Sequence, residues 1–235
     1  MIYTVKTLLG AELSPINYYI NPLLPVGCKA ILFGLFKTGK SFLAQQMAFE
    51  LSAGEKFLGI FPTTQCRVLY LENELPLVSV QRRVRNPYAK YGSNFFICRT
   101  LDKLNDFDGY QEIRKIIQEV KPEVLILDCL YSAVIGDIAE GRTVNEATTA
   151  LDAIMGLNPL MSLVIIHHQR KESSSPEYES REFQEILGSV MLPNWVDSLF
   201  WLLSPRGKST KRTLKFLLRH DENPHSIQIN FNPQE

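Results

Sequence analysis

The chain has 235 residues, 45% of them hydrophobic and 21% charged, which is enough for one well-packed core and too little for two generous domains. Its 25 basic and 25 acidic residues cancel, so no global field recruits nucleic acid and any such site must be a local patch. No apolar run is long enough to span a bilayer as a helix, and Met1 to Ala11 lacks a signal-peptide pattern, so the expected location is the cytoplasm.

Residues 1–27 read as a lead-in segment to a single expected domain over 1–235. Ala30-Ile31-Leu32-Phe33 is an apolar strand, and Gly34 to Ser41 (Gly-Leu-Phe-Lys-Thr-Gly-Lys-Ser) then completes a G-x-x-x-x-G-K-[ST] phosphate-binding loop. A strand delivers this loop and a helix N-terminus receives the phosphates. Gly34 and Gly39 let backbone N–H groups turn inward around an anion where a Cβ would obstruct them. Lys40 is placed to neutralise the β- and γ-phosphates, and the Ser41 hydroxyl to hold Mg²⁺. Gly34, Leu35, Phe36, Lys37, Thr38, Gly39, Lys40, Ser41 and the following Phe42 are the expected ATP-binding segment.

A helix runs from Ser41 to Ala53, with Phe42, Ala44, Met47, Ala48 and Leu51 at helical spacing and Gly54 as its stop. Arg67 to Leu71 is a strand that leads into Glu72-Asn73-Glu74, and Pro76 opens a helix carrying Val80, Arg82, Arg83, Val84 and Arg85. Asn94 to Arg99 is a short strand, and Tyr110 to Val120 an amphipathic helix. Val124 to Leu127 is a continuously apolar strand that ends on Asp128, where a carboxylate can hold the metal beside the loop hydroxyl. A helix near Asn145 to Met155 and the strand Ser162 to His168 follow. Ser198 to Leu203, Thr213 to Arg219 and Ser226 to Phe231 are strand-like with no helix between them, which reads as an antiparallel extension. Doubly apolar strands alternating with helices predict an α/β fold: a mostly parallel sheet with helices on both faces and antiparallel strands at its C-terminal end.

γ-Phosphate hydrolysis needs a group that orients and deprotonates water. A carboxylate at the tip of a strand next to the loop strand could do this, and period-two alternation leaves Glu72 and Glu74 equivalent. His167 and His168 end their strand in a polar cluster suited to sensing the γ-phosphate. Neighbouring strand residues point to opposite faces, and no Cys or carboxylate stands at ligand spacing, so a paired-histidine metal site is not expected. The four cysteines, Cys28, Cys66, Cys98 and Cys129, form no C-x-x-C pair and read as small buried apolar residues. Trp195 and Trp201 read as core.

These segments, together with Leu23 to Gly27, Ser52 to Gly59, Arg170-Lys171 and Leu187-Gly188-Ser189 with Asp197, resemble the RecA-like ATPases. Within them they resemble the RepA-like hexameric helicases of plasmids and phages and the related AAA_25 ATPases. The resemblance implies a catalytic glutamate after the second strand, best matched by Glu74 with Glu72 second. It makes His167 and His168 the γ-phosphate sensor and Lys40 a catalytic cation. It also implies ATP with Mg²⁺ held by Ser41 and Asp128, and a homo-oligomeric ring, up to a hexamer, with ATP between subunits. Its helicases tend to carry Arg where this chain has Leu187, so a cationic finger donated in trans must come from elsewhere. The basic run Arg206, Lys208, Lys211, Arg212, Lys215, Arg219 is the reservoir, with Arg219 and Arg212 the foremost candidates. Such a finger typically contributes about 10³–10⁵ in rate.

The expected function is an ATP-hydrolysing motor on single-stranded DNA, such as a replicative helicase of a mobile element. The alternatives are a nucleotide-dependent switch or loader, a small-molecule P-loop kinase, and a module that binds nucleotide without hydrolysing it. The channel loops implied by the resemblance fall near 130–148 and 171–188. The second carries Glu172, Glu177, Glu179, Glu182 and Glu185 against Lys171 and Arg181, a poor match to a phosphate backbone, though Tyr178 could stack on a base.

Overall fold

The computed structural model describes residues 2–85, 93–100, 102–168, 191–205 and 209–231. A short helix α1 (Val5–Leu9) and a two-stranded ribbon, β1 (Tyr18–Ile20) with β2 (Leu24–Pro25), precede the main sheet. That sheet contains β3 (Lys29–Gly34), β4 (Val68–Glu72), β5 (Phe95–Arg99), β6 (Val124–Asp128), β7 (Ser162–His168), β8 (Ser198–Leu203), β9 (Lys211–Leu218) and β10 (Ile227–Asn230). Its spatial order is β10-β9-β8-β3-β7-β6-β4-β5.

The helices are α2 (Lys40–Ala53), α3 (Leu77–Val84), α4 (Phe107–Val120), α5 (Gly141–Met155) and α6 (Met191–Trp195). β3, β4, β6 and β7 are apolar on both faces because both are covered. On one face Leu43, Ala44, Met47, Ala48 and Leu51 of α2 pack on Ala30, Leu32, Val68, Tyr70, Ile126 and Ile166. On the other, Ile113 and Ile117 of α4 and Val144, Ala147, Leu151 and Ile154 of α5 pack on Ile31, Phe33, Leu69, Leu125 and Ile165. Fully burying a Leu, Ile or Met stabilises by about 1.5–3 kcal/mol, so each helix is held chiefly by its apolar stripe. The predicted architecture, helices on both faces of a largely parallel sheet, is the one observed. Trp201 belongs to the core and stacks on Phe33 at 5.8 Å, whereas Trp195 is only partly buried and donates Nε1–H to Asp152 at 3.0 Å.

Two expectations about topology are corrected. The antiparallel extension starts one strand later than predicted: β8 pairs with β3 in parallel, and only β9 and β10 alternate direction. The long connection between His168 and Ser198, which includes α6, returns the chain to the starting end of the sheet, as a parallel pairing requires. Second, β4 does not lie next to the loop strand. The α2 crossover carries it beyond the places that β7 and β6 later fill, so β7 is the neighbour of β3 on that side. The helix expected from Asn145 begins at Gly141 instead, within the segment expected to form the first channel loop.

Candidate functional site

β3, β4, β6, β7 and β8 run parallel, so Gly34, Glu72, Asp128, His168 and Leu203 all end at one edge of the sheet, beside the N-terminus of α2. In an open α/β sheet this is where ligands bind. The loop Gly34–Ser41 depends on its two glycines. Gly34 has φ 157°, and a Cβ there would lie 2.3 Å from the Leu202 carbonyl oxygen; at Gly39, with φ 102°, a Cβ would lie 2.8 Å from the Phe231 ring. Inside the loop Thr38 Oγ1 donates to the Leu35 carbonyl at 2.9 Å. Lys40 Nζ donates to the carbonyls of Gly34 and Leu35 at 3.0 and 2.8 Å. Lys40 is only 4% exposed, and this burial lowers its pKa from 10.5 to about 8 against the opposing pull of Asp128, Cys129 and Glu74.

Asp128 is buried at the tip of β6 and accepts a hydrogen bond from the Tyr70 hydroxyl at 2.5 Å. Burial raises its pKa, while hydrogen bonds from Tyr70 and Ser41 oppose the rise. The side chains of Tyr70, Asp128 and Ser41 therefore meet on the face of the sheet that carries α2.

Glu72 and Glu74, equivalent in sequence, have different surroundings. β4 ends at Glu72, whose buried Oε1 accepts the backbone N–H groups of Glu74 and Leu75, both at 2.9 Å, so it closes the turn after the strand. The Asn73 N–H meanwhile bonds the Asp128 carbonyl at 3.1 Å, tying the two strand tips together. Because the chain turns there, alternation ceases and Glu74 faces the site. Its Oε1 accepts from Ser132 Oγ at 3.0 Å and Cys129 Sγ at 3.1 Å, and lies 3.8 Å from His168 Nε2. Hydrogen bonding to His168, then to Cys129 and Ser132, holds its pKa down at about 2 against burial, so it is ionised at neutral pH. His168 is partly exposed and packs near Phe36, at 5.8 Å between rings. His167 is 3% exposed and points to the opposite face.

The basic run separates in a similar way. Arg206 and Lys208 lie outside the described residues, as do Arg170, Lys171, the whole 171–188 loop with Tyr178, and Leu187-Gly188-Ser189. Arg212, expected as a finger in trans, is 7% exposed and serves its own subunit's loop. Its Nε donates to the Thr38 carbonyl at 2.9 Å, and its Nη1 to the Ser209 and Lys211 carbonyls at 2.7 and 2.9 Å. Its guanidinium also covers the Phe231 ring at 5.1 Å, and Phe231 packs edge-on against Phe42. A buried side chain bonded to three local carbonyls braces its own subunit's loop. Lys215 lies over Trp201 at 5.5 Å. Arg219, 56% exposed, donates to the Asn194 carbonyl at 2.8 Å, at the end of the sheet opposite its own loop. Arg83, from α3, stacks on Phe42 at 4.5 Å, and its charge opposes the rise in pKa that burial causes at Glu72 and Asp128.

A family model for an AAA domain, AAA_25, matches residues 4–174, more than half of the chain. The chain belongs to the AAA_25 family. Among solved structures, this AAA_25 protein is similar to the KaiC-like protein PH0186 from the hyperthermophilic archaeon Pyrococcus horikoshii. The TM-score is 0.65 at 14% identity, over 93% of this chain and 97% of that one. It is also similar to a second solved structure, an isolated ATPase domain, with TM-score 0.59 at 11% identity, over 87% of this chain and 81% of that one. No curated protein matches it. This AAA_25 member is a P-loop ATPase with a RecA-like fold.

The donor set suits the group that such ATPases use. Asp128 and Ser41 offer hard oxygen donors next to the loop, which fit Mg²⁺ rather than a soft metal. Several residues gathered around these strand tips had no sequence signal of their own. Tyr70 reads as a strand aromatic, Ser132 as a loop residue and Arg212 as one charge in a run. Cys129 was expected to be an inert apolar residue, yet it bonds Glu74. A search of the aligned strand tips, rather than of local Cys spacing, would have found it.

Among the described residues no helix is long and apolar enough to cross a membrane.

Proposed function

We propose that this chain is an ATP-driven motor acting on single-stranded DNA, organised as one domain over residues 1–235 and working in a homo-oligomeric ring. The observation that carries the ATP chemistry is the pairing of ionised Glu74 with His168, from the tips of β4 and β7 on either side of β6, near Lys40 and Asp128. Glu74 orients and deprotonates the attacking water, the general-base role for which a positioned carboxylate is suited. Ser132 and Cys129 fix its carboxylate, and its depressed pKa keeps it in the accepting form. His168 lies close enough to Glu74 to link the presence of a γ-phosphate to the segment that follows β7. Lys40 exchanges its bonds to the Gly34 and Leu35 carbonyls for bonds to the β- and γ-phosphates. Ser41 and Asp128 would hold Mg²⁺, which would supply charge neutralisation at the phosphates. His167, buried on the far face, supports the strand rather than the chemistry.

Arg219 is the remaining finger candidate within the described part of the basic run. A residue at the far end of its own sheet is suited to serving a neighbouring subunit's site rather than its own.

A second reading, a nucleotide-dependent switch or loader, is favoured by one observation. Arg212 and Lys215 are committed within the fold, to Thr38 and Trp201, and so offer little to a phosphate backbone. The ATPase rate with and without single-stranded DNA separates the two, provided the oligomeric state is measured in the same buffer. Stimulation of a ring by DNA supports the motor; an unchanged rate with saturating DNA rejects it in favour of the switch.

A further inference from the structure

Glu74, Cys129 and His168 come from three chain segments and present one carboxylate oxygen, one thiol sulfur and one imidazole nitrogen within 4.8 Å of one another. Sequence spacing carries no hint of this group, because parallel pairing of β4 with β6 and of β6 with β7 creates it. Its donors differ from those expected to hold Mg²⁺. Asp128 and Ser41 offer hard oxygens only, whereas this group joins a soft sulfur and a borderline nitrogen to one carboxylate, a set that selects Zn²⁺-like cations.

The dimensions fit. A tetrahedral zinc site with bonds of about 2.0–2.3 Å has donor-to-donor edges of roughly 3.3–3.7 Å. Here Glu74 Oε1 lies 3.1 Å from Cys129 Sγ and 3.8 Å from His168 Nε2. Ser132 Oγ, bonded to Glu74 Oε1 at 3.0 Å and 3.7 Å from Cys129 Sγ, supplies the outer support that metal ligands need. Lys40 Nζ donates to the loop carbonyls of Gly34 and Leu35. Three protein ligands with a part-exposed histidine leave a fourth position open to water.

We infer that Glu74, Cys129 and His168 form a binding site for a thiophilic divalent cation, Zn²⁺ being the fitting ion, separate from the Mg²⁺ position. On binding, Cys129 becomes a thiolate and its proton passes to solvent. The consequence for turnover rests on the role proposed above for Glu74. A carboxylate coordinated to zinc cannot also activate water, so the ion switches hydrolysis off reversibly.

The test uses the nucleotide-free full chain and Co²⁺ as a spectroscopic substitute for Zn²⁺, with Zn²⁺ as competitor. The wild type should take one Co²⁺ with a sulfur-to-metal charge-transfer band that Zn²⁺ displaces. Cys129→Ser should lose that band, and both Cys129→Ser and the part-exposed His168→Ala should bind at least about 10-fold more weakly. A missing band in the wild type, or equal affinity in all three proteins, overturns the site. Hydrolysis is then followed at buffered Zn²⁺, each rate relative to the same protein's metal-free rate. At about 10 times the wild-type dissociation constant the wild type should slow about 10-fold and Cys129→Ser by no more than about 2-fold, by simple mass action. Zinc bound through Cys129 with no slowing leaves the site standing and overturns the role of Glu74 instead.

Discussion

The tips of the central parallel strands and the C-terminal antiparallel strands both present ionisable residues to the phosphate loop, but they use them differently. At the tips of β4, β6 and β7, Asp128 and His168 hold the last paired positions and Glu74 lies just beyond the end of β4, so the three converge. On β9 the cations belong to a strand paired on both sides, and their side chains turn onto the fold: Arg212 onto Thr38, Lys215 onto Trp201. Strand tips thus gather ionisable groups at one edge, whereas the hairpin turns its cations onto the fold. Charge alone therefore does not identify a functional residue; the place where its strand ends does.

The contrast breaks most sharply at Lys40. Lys40→Met should abolish measurable hydrolysis, since Lys40 is the lysine bonded to the loop's own carbonyls, whereas Lys37 lies over the Phe36 ring. The same change should stabilise the nucleotide-free protein by about 1–3 kcal/mol at pH 7, because a buried ammonium with its pKa lowered to about 8 is costly to keep charged. Between about pH 8 and its ordinary 10.5 the unfolded chain binds the proton and the folded chain does not, so wild-type stability rises with pH and the advantage of Met shrinks. Thermal melts at pH 7 and pH 9 check this. Unchanged hydrolysis would remove the loop assignment.

Arg212→Ala comes next. Loss of the brace leaves the Thr38 carbonyl unpaired and should cost about 1–3 kcal/mol of stability, together with weaker ATP binding and only a small change in kcat. A loss of about 10³-fold in kcat at unchanged ATP affinity would instead mark a finger and contradict the bracing role. The smallest effect is expected at Lys215→Gln, where a part-exposed cation–π contact contributes about 0.5–1 kcal/mol to stability and nothing to turnover.

The division between tips and hairpin also explains what could be read from sequence. The placement of the loop and of Asp128 at strand ends was legible because it follows from local order, an apolar strand then a turn. The two-faced sheet was legible from doubly apolar strands. Glu74 could not be separated from Glu72, since that depends on β4 ending at Glu72 and on two N–H groups closing the turn. Cys129 stayed hidden because it meets Glu74 and His168 only through strand pairing across long sequence separations. The burial of Arg212 was not legible because a run of charges carries no record of which members are buried. The direction of β8 depended on a connection whose length, not its pattern, decides the outcome.

Glu74 carries the greatest weight in the proposed chemistry. Steady-state hydrolysis and ATP affinity measured side by side for Glu74→Gln and Glu72→Gln test its role most directly. Glu74→Gln should keep ATP affinity within about 3-fold and lose about 10²–10⁴ in kcat, whereas Glu72→Gln should keep most of its turnover. The reverse pattern, with Glu72→Gln inactive and Glu74→Gln near wild type, would contradict the assignment of Glu74 as the base.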